Sequence, residues 1–178
     1  MYLDGYPMPS QIKWVKDLNV SVFVSTYENK IDSKGRVSVP APFRNTLART
    51  DSGLFIFESL ELPCLEASGS DYINTIISAM SRMDALSEDV HILETLLTST
   101  KEMKIDSDGR IMLPEDFIEL ADLSSPVIFA GVGRKFRIWN KQRFEEHNQK
   151  SREKARSGMR LPELILSEMA SKTHSGGG

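Results

Sequence analysis

The sequence predicts an α+β fold assembled from two copies of one unit, and three observations carry that expectation. A 19-residue stretch recurs 74 positions later; each copy alternates apolar and polar residues around a glycine turn; and amphipathic helical stretches lie between and after the copies. Ser25 to Phe43 coincides with Ser99 to Phe117 at eleven positions, including the pairs Asp32/Asp106, Gly35/Gly109, Arg36/Arg110, Pro40/Pro114 and Phe43/Phe117. Two copies are too few for a solenoid, which needs at least three to bury its stacking faces, so a pseudo-symmetric pair is expected.

Within the first copy, Tyr27, Asn29 and Ile31 alternate with Glu28, Lys30 and Asp32, and after the turn Val37 and Val39 alternate with Arg36 and Ser38. Period two marks half-buried strands, and the two runs are expected to pair as a hairpin. Its turn is Ser33-Lys34-Gly35: Gly35 and Gly109 accept positive φ without steric cost, and Asp32 and Asp106 can accept hydrogen bonds from turn amides. Pro40 ends the strand and Pro42 suits a first helical turn, so short helices are expected over Phe43 to Arg49 and Glu115 to Ala121. Leu54 to Phe57 and Val127 to Ala130 read as short apolar strands.

Ser70 to Met83 places Ile73, Ile76, Ile77 and Met80 on one helical face behind a Ser70 cap. Ser87 to Thr98 does the same with Val90, Leu93, Leu96 and Leu97. Core packing is the favoured role of both stripes, with an oligomer contact as the alternative. A charged helix follows over Lys141 to Arg156, then an apolar segment, Leu161 to Met169, and a flexible tail. The expected organisation is an extension over 1–21, a first repeat over 22–75, a helical connection over 76–98, a second repeat over 99–145, and a terminal helix and tail over 146–178.

The lone cysteine, Cys64, cannot form an internal disulfide, which fits a reducing compartment. His91, His147 and His174 lie far apart, so neither a metal site nor a cofactor is expected. No Gly-x-Ser-x-Gly elbow, phosphate-binding Gly-Lys-Ser/Thr loop or His-Glu-x-x-His occurs, and Gly131-x-Gly133 is too short for a dinucleotide fingerprint and reads as a turn. An enzyme, and a small-molecule substrate with it, is not expected. No apolar run approaches the roughly 18 residues of a membrane span, and no export signal is read in the first twenty residues.

At Asp32-Ser33-Lys34-Gly35-Arg36-Val37-Ser38-Val39-Pro40 and Asp106-Ser107-Asp108-Gly109-Arg110-Ile111-Met112-Leu113-Pro114 the chain resembles the MraZ family of bacterial transcriptional regulators. The likeness covers roughly Val22 to Arg156, including the Arg137-Ile138-Trp139 strand of the second unit. It implies tandem pseudo-symmetric AbrB-like swapped-hairpin β-barrel-type units and self-assembly into a closed ring. It also implies double-stranded DNA as partner, bound at promoter direct repeats near the division and cell-wall gene cluster, and a cytoplasmic, nucleoid-associated location. Members of that family start almost directly at the first strand, so residues 1–21 are expected to be surplus, with a valine codon at 22 as initiator. The alternative function is an AbrB-like antitoxin or interaction protein without promoter specificity.

With a formal net charge of -3 over the whole chain, a DNA role needs a local basic surface. Residues 25–49 hold five cations (Lys30, Lys34, Arg36, Arg44, Arg49) against two anions, whereas residues 99–123 hold three cations against seven anions, Asp108 replacing Lys34. Only the first unit suits phosphate. Lys34 at the turn acts as a point charge and Arg36 as a planar fork able to grip guanine O6 and N7, with Arg44 and Arg49 in support. Asp32, Asp106 and Arg110 are expected to pin the turns. A second basic stretch, residues 134–160, holds ten cations against three anions; a contact with a neighbouring subunit is favoured there over a rival DNA site.

Overall fold

A computed structural model describes residues 21–157 together with Tyr2–Leu3 and Tyr6–Pro7, two dipeptides that pair antiparallel. The rest of the expected extension over 1–21, the apolar segment Leu161 to Met169 and the tail lie outside the described residues.

The first repeat runs β1 (Thr26–Asn29), β2 (Arg36–Ser38), α1 (Ala41–Arg49), β3 (Leu54–Glu58) and β4 (Leu65–Gly69). Two helices follow, α2 (Ser70–Met80) and α3 (Glu88–Ser99). The second repeat mirrors the first with β5 (Lys101–Met103), β6 (Arg110–Met112), α4 (Glu115–Leu120), β7 (Val127–Gly131) and β8 (Lys135–Asn140), and α5 (Lys141–Arg156) closes the described chain.

The strands form an antiparallel six-stranded sheet in the order β1-β7-β8-β4-β3-β5 and a separate two-stranded ribbon, β2-β6. Each repeat lends its first strand to the other: β1 lies on β7 (Tyr27↔Phe129) and β5 lies on β3 (Leu54↔Met103). The hairpin expected within each unit is therefore opened. In the first repeat, an isolated bridge, Ile31↔Val37, joins the two runs before they diverge, and β2 pairs instead with β6 through Val37↔Ile111. Alternation along a strand says which side is apolar but not which neighbour supplies the hydrogen bonds, so pairing within a repeat and pairing across repeats satisfy the same pattern.

Exchange merges the units into one core. Val37, Val39, Phe43 and Leu54 of the first repeat pack with Ile111, Leu113, Phe117 and Phe129 of the second. Phe23 enters this core from before β1, edge-on to Phe43 at 5.4 Å and to Phe136 at 5.0 Å, contacts each adding about 0.5–1.5 kcal/mol beyond burial. Gly131 admits it, since a β-carbon there would fall 2.5 Å from the Phe23 carbonyl carbon. The opposite face of the sheet buries Cys64, Ile128, Ala130 and Trp139, with Phe144 of α5 packed against them.

Strand β4 is not among the elements expected from the sequence, because its buried Glu66 and Ser68 make the stretch look polar. Helix α2 is capped at Gly69 without a side-chain bond, not at Ser70, whereas the Ser87 hydroxyl caps α3 by accepting from the Val90 amide at 3.3 Å. The apolar stripes on these helices are only partly core. Ile73, Ile76 and Val90 are buried, but Ile77 is 50% exposed, Leu93, Leu96 and Leu97 are half-buried, and Leu86 in the connecting loop is 86% exposed.

Candidate nucleic-acid interface

The site is built on the β2-β6 ribbon. Val37 and Ile111 turn inward, so Arg36, Ser38, Arg110 and Met112 form its outer face, in the register Arg36↔Met112 and Ser38↔Arg110. Antiparallel pairing sets the two glycine turns at opposite ends. The Leu113 amide donates to the Gly35 carbonyl and the Val39 amide to the Gly109 carbonyl, both at 2.9 Å, so each turn is fastened to the other repeat. Both glycines are left-handed, φ 78° at Gly35 and 77° at Gly109, a conformation that a β-carbon would strain.

In the first turn, Asp32 Oδ1 accepts from the amides of Lys34 and Arg36, each at 2.9 Å, and Oδ2 accepts from Arg36 Nε at 2.7 Å. The Arg36 amide, followed by its guanidinium, holds the Asp32 carboxyl below its ordinary value of 3.8. Asp32 thus bonds two amides and the guanidinium within its own turn. Among the described residues the Nη groups of Arg36 have no hydrogen-bond or ion-pair partner, its side chain is 45% exposed, and Lys34 beside it is exposed and likewise unpaired.

The second turn repeats this geometry with the opposite charge outcome. Asp106 Oδ1 accepts from the Asp108 and Arg110 amides at 2.9 and 2.8 Å, Arg110 Nε reaches Asp106 Oδ2 at 3.3 Å, and Arg110 Nη2 is taken by Asp108. The Arg110 amide is the main cause that lowers the Asp106 carboxyl. Lys101 is engaged too, by Asp116 and over the Phe117 ring at 4.5 Å. At one end of the ribbon, its cationic end, the first turn thus keeps Lys34 and the Arg36 Nη groups free, whereas the second turn occupies its arginine with its own carboxylates.

Arg44 and Arg49 are not brought together with Lys34 and Arg36. Arg44 stands instead at the second turn, where a β-carbon on Gly109 would fall 2.0 Å from its Nη1; its Nε is buried with no hydrogen-bond partner among the described residues. Its counterpart across the repeats, Ile118, packs on Gly35 in the same way. Arg49 closes α1, its Nη2 3.4 Å from the Thr46 hydroxyl, where a cation favours the helix C-terminus. Sequence reading missed the exposed Met112: outward positions of the ribbon were legible from alternation, and a methionine among them was the available signal.

The basic stretch 134–160 divides in two. Arg134, Arg137, Lys141 and Arg143 pair with Asp71, Glu66, Glu28 and Asp122 at 3.0–3.6 Å, and Lys135 joins Glu66. On the last turns of α5, Lys150, Arg152, Lys154 and Arg156 are exposed and without ion-pair partners among the described residues. No helix of the described residues is long and apolar enough to cross a membrane.

A family model described as "MraZ protein, putative antitoxin-like" matches residues 96–159. Proteins named Transcriptional regulator MraZ are similar over most of the chain. That of Azorhizobium caulinodans is 41% identical over 136 residues, 75% of this chain and 87% of the relative. That of Beijerinckia indica is 38% identical over 136 residues, 75% and 83% of the two chains. That of Phenylobacterium zucineum is 36% identical over 162 residues, 88% and 98%. These relatives carry a regulator's name and not an enzyme's, and at this identity and coverage the chain belongs to the MraZ family of transcriptional regulators.

Proposed function

We propose that the chain is a sequence-specific DNA-binding regulator that grips promoter repeats through the cationic end of its β2-β6 ribbon. The observation that carries this reading is the pair Lys34 and Arg36, exposed beside a two-stranded ribbon, Lys34 unpaired and Arg36 held by Asp32 through Nε alone, while the equivalent Asp108 takes an Nη of Arg110. A ribbon of this width is an element that the major groove admits, with Arg36 offering its free Nη fork to guanine and Lys34 its charge to phosphate. Asp32 orients Arg36. Arg44 and Arg49 are proposed as supporting contacts, further from the tip. The exchange of β1 and β5 between repeats supports reading the fold as the AbrB-like swapped-hairpin arrangement.

One tip with a few phosphate contacts binds loosely. Several tips at fixed spacing on one assembly gain roughly 10²- to 10⁴-fold by effective concentration. We therefore infer a homo-oligomer, closed as a ring, acting on direct repeats at the promoter of the division and cell-wall genes, cytoplasmic and nucleoid-associated, with repression by exclusion of polymerase as the default sign. The exposed Ile77, Leu86 and Ile92 and the unpaired cations of α5 support a subunit contact. Replacing Arg152, Lys154 and Arg156 together separates the two uses of α5: lost assembly with unchanged box affinity supports the contact, and the converse supports a DNA site. The antitoxin-like description of the matching family supports an antitoxin as the second reading, and a co-purifying toxin-like partner would favour it.

The direct test is to sequence DNA retained by the purified protein with and without Arg36→Ala. Recurrent short boxes enriched by the native protein and lost with the variant are expected; the same enrichment with both overturns the reading.

A further inference from the structure

We propose that Met112 is a specificity-determining residue that contacts a thymine 5-methyl group beside the guanine gripped by Arg36, so that the ribbon selects a thymine–guanine neighbour pair. This rests on the DNA-binding reading above. The outer face of the ribbon holds Arg36, Ser38, Arg110 and Met112. Arg110 is held at Nε by Asp106 and at Nη2 by Asp108, and Ser38 is short, which leaves Met112 and the Nη groups of Arg36, held by Asp32 at Nε alone, to reach outward.

The two sit directly opposite one another in the register. Directly opposed residues hold their β-carbons about 4.5–5.5 Å apart, close enough to the roughly 3.4 Å separation of stacked bases for the two side chains to meet adjacent base pairs. Met112 is 59% exposed. The scaffold does not require an apolar group there, because the symmetry-related position in the first repeat is Ser38, equally outward and equally compatible with the ribbon. An apolar side chain on the outer face of a groove-sized ribbon matches the thymine C5-methyl that the major groove offers, and the flexible thioether adapts to its position.

The repeats differ at this face in two places, Lys34/Asp108 and Ser38/Met112. Charge and apolar contact thus both fall at the end of the ribbon where the first turn meets the second strand. At the other end the equivalent positions are Asp108 and Ser38.

The test uses fluorescence anisotropy on a duplex box selected by the native protein, with each thymine replaced in turn by deoxyuridine, which removes only the methyl group. Native protein is expected to lose about three- to fivefold in affinity at one thymine adjacent to a guanine, the worth of one buried methyl. Met112→Ala is expected to bind both duplexes equally at that position, and Met112→Leu to restore the difference. Methyl sensitivity retained in Met112→Ala, or absent throughout with native protein, overturns the inference alone when Arg36→Ala still abolishes binding. Full binding by Arg36→Ala overturns the DNA reading and the inference together.

Discussion

The amide of Leu113 donates to the carbonyl of Gly35 at 2.9 Å, so the turn that carries Lys34 and Arg36 is anchored to the strand end of the other repeat as well as to its own. The reciprocal bond from Val39 to Gly109 fixes the second turn. Neither turn can shift without disturbing the ribbon, and the ribbon's inner residues, Val37 and Ile111, are core.

Gly35→Ala is expected to destabilise the protein by about 1–3 kcal/mol, since the new β-carbon would stand 2.6 Å from the Leu113 carbonyl oxygen at positive φ. Gly133 also has positive φ, 94°, but open space around it, so Gly133→Ala is expected to cost only about 1 kcal/mol. Urea unfolding of the two variants checks the order. Equal costs would show that the close approach to Leu113 does not matter.

Acid should loosen both turns. Asp32 and Asp106 have carboxyls lowered below 3.8, first by the amides of Arg36 and Arg110. A depressed carboxyl contributes stability that is fully present above its unfolded-state value and is lost as pH falls through the folded value. Side-chain carboxyl NMR resonances of both residues are expected to titrate with midpoints below 3.8, and the Asp32→Ala variant should lose less stability than native protein over that acid range. Midpoints at or above the ordinary value contradict the bonding described here.

Cys64 is fully buried, and burial, reinforced by Glu66, pushes its thiol up to about 12. The thiolate is the reactive form, so a thiol reagent at neutral pH is expected to leave the folded protein unmodified and to label it in step with unfolding by denaturant. Rapid stoichiometric labelling without denaturant would place Cys64 at the surface.

Local chemistry made the turns, α1, α4, α5, β3 and β7 legible in the sequence, because proline, glycine and periodicity act over a few residues. Partner choice was not legible. Whether β1 lies on β2 or on β7 depends on where the second repeat stands, and nothing within Thr26–Asn29 encodes that position. Strand β4 hid behind Glu66, whose burial becomes intelligible only with Lys135 and Arg137 of β8 beside it. At the candidate site the charge contrast between Lys34 and Asp108 was legible. The seat of Arg44 on Gly109 of the other repeat was not, since it follows from the strand exchange.

DNA contact by the ribbon depends on a charge difference between two turns that share one geometry. The most direct measurement is affinity for a multi-box promoter duplex as a function of salt, for native protein, Lys34→Ala/Arg36→Ala and Arg110→Ala. The first-turn variant is expected to lose at least about tenfold in affinity and about one to two units of salt slope, whereas Arg110→Ala should stay within about threefold of native. Native-like binding by the first-turn variant, or an equal loss from Arg110→Ala, would contradict the assignment of DNA contact to the cationic end of the ribbon.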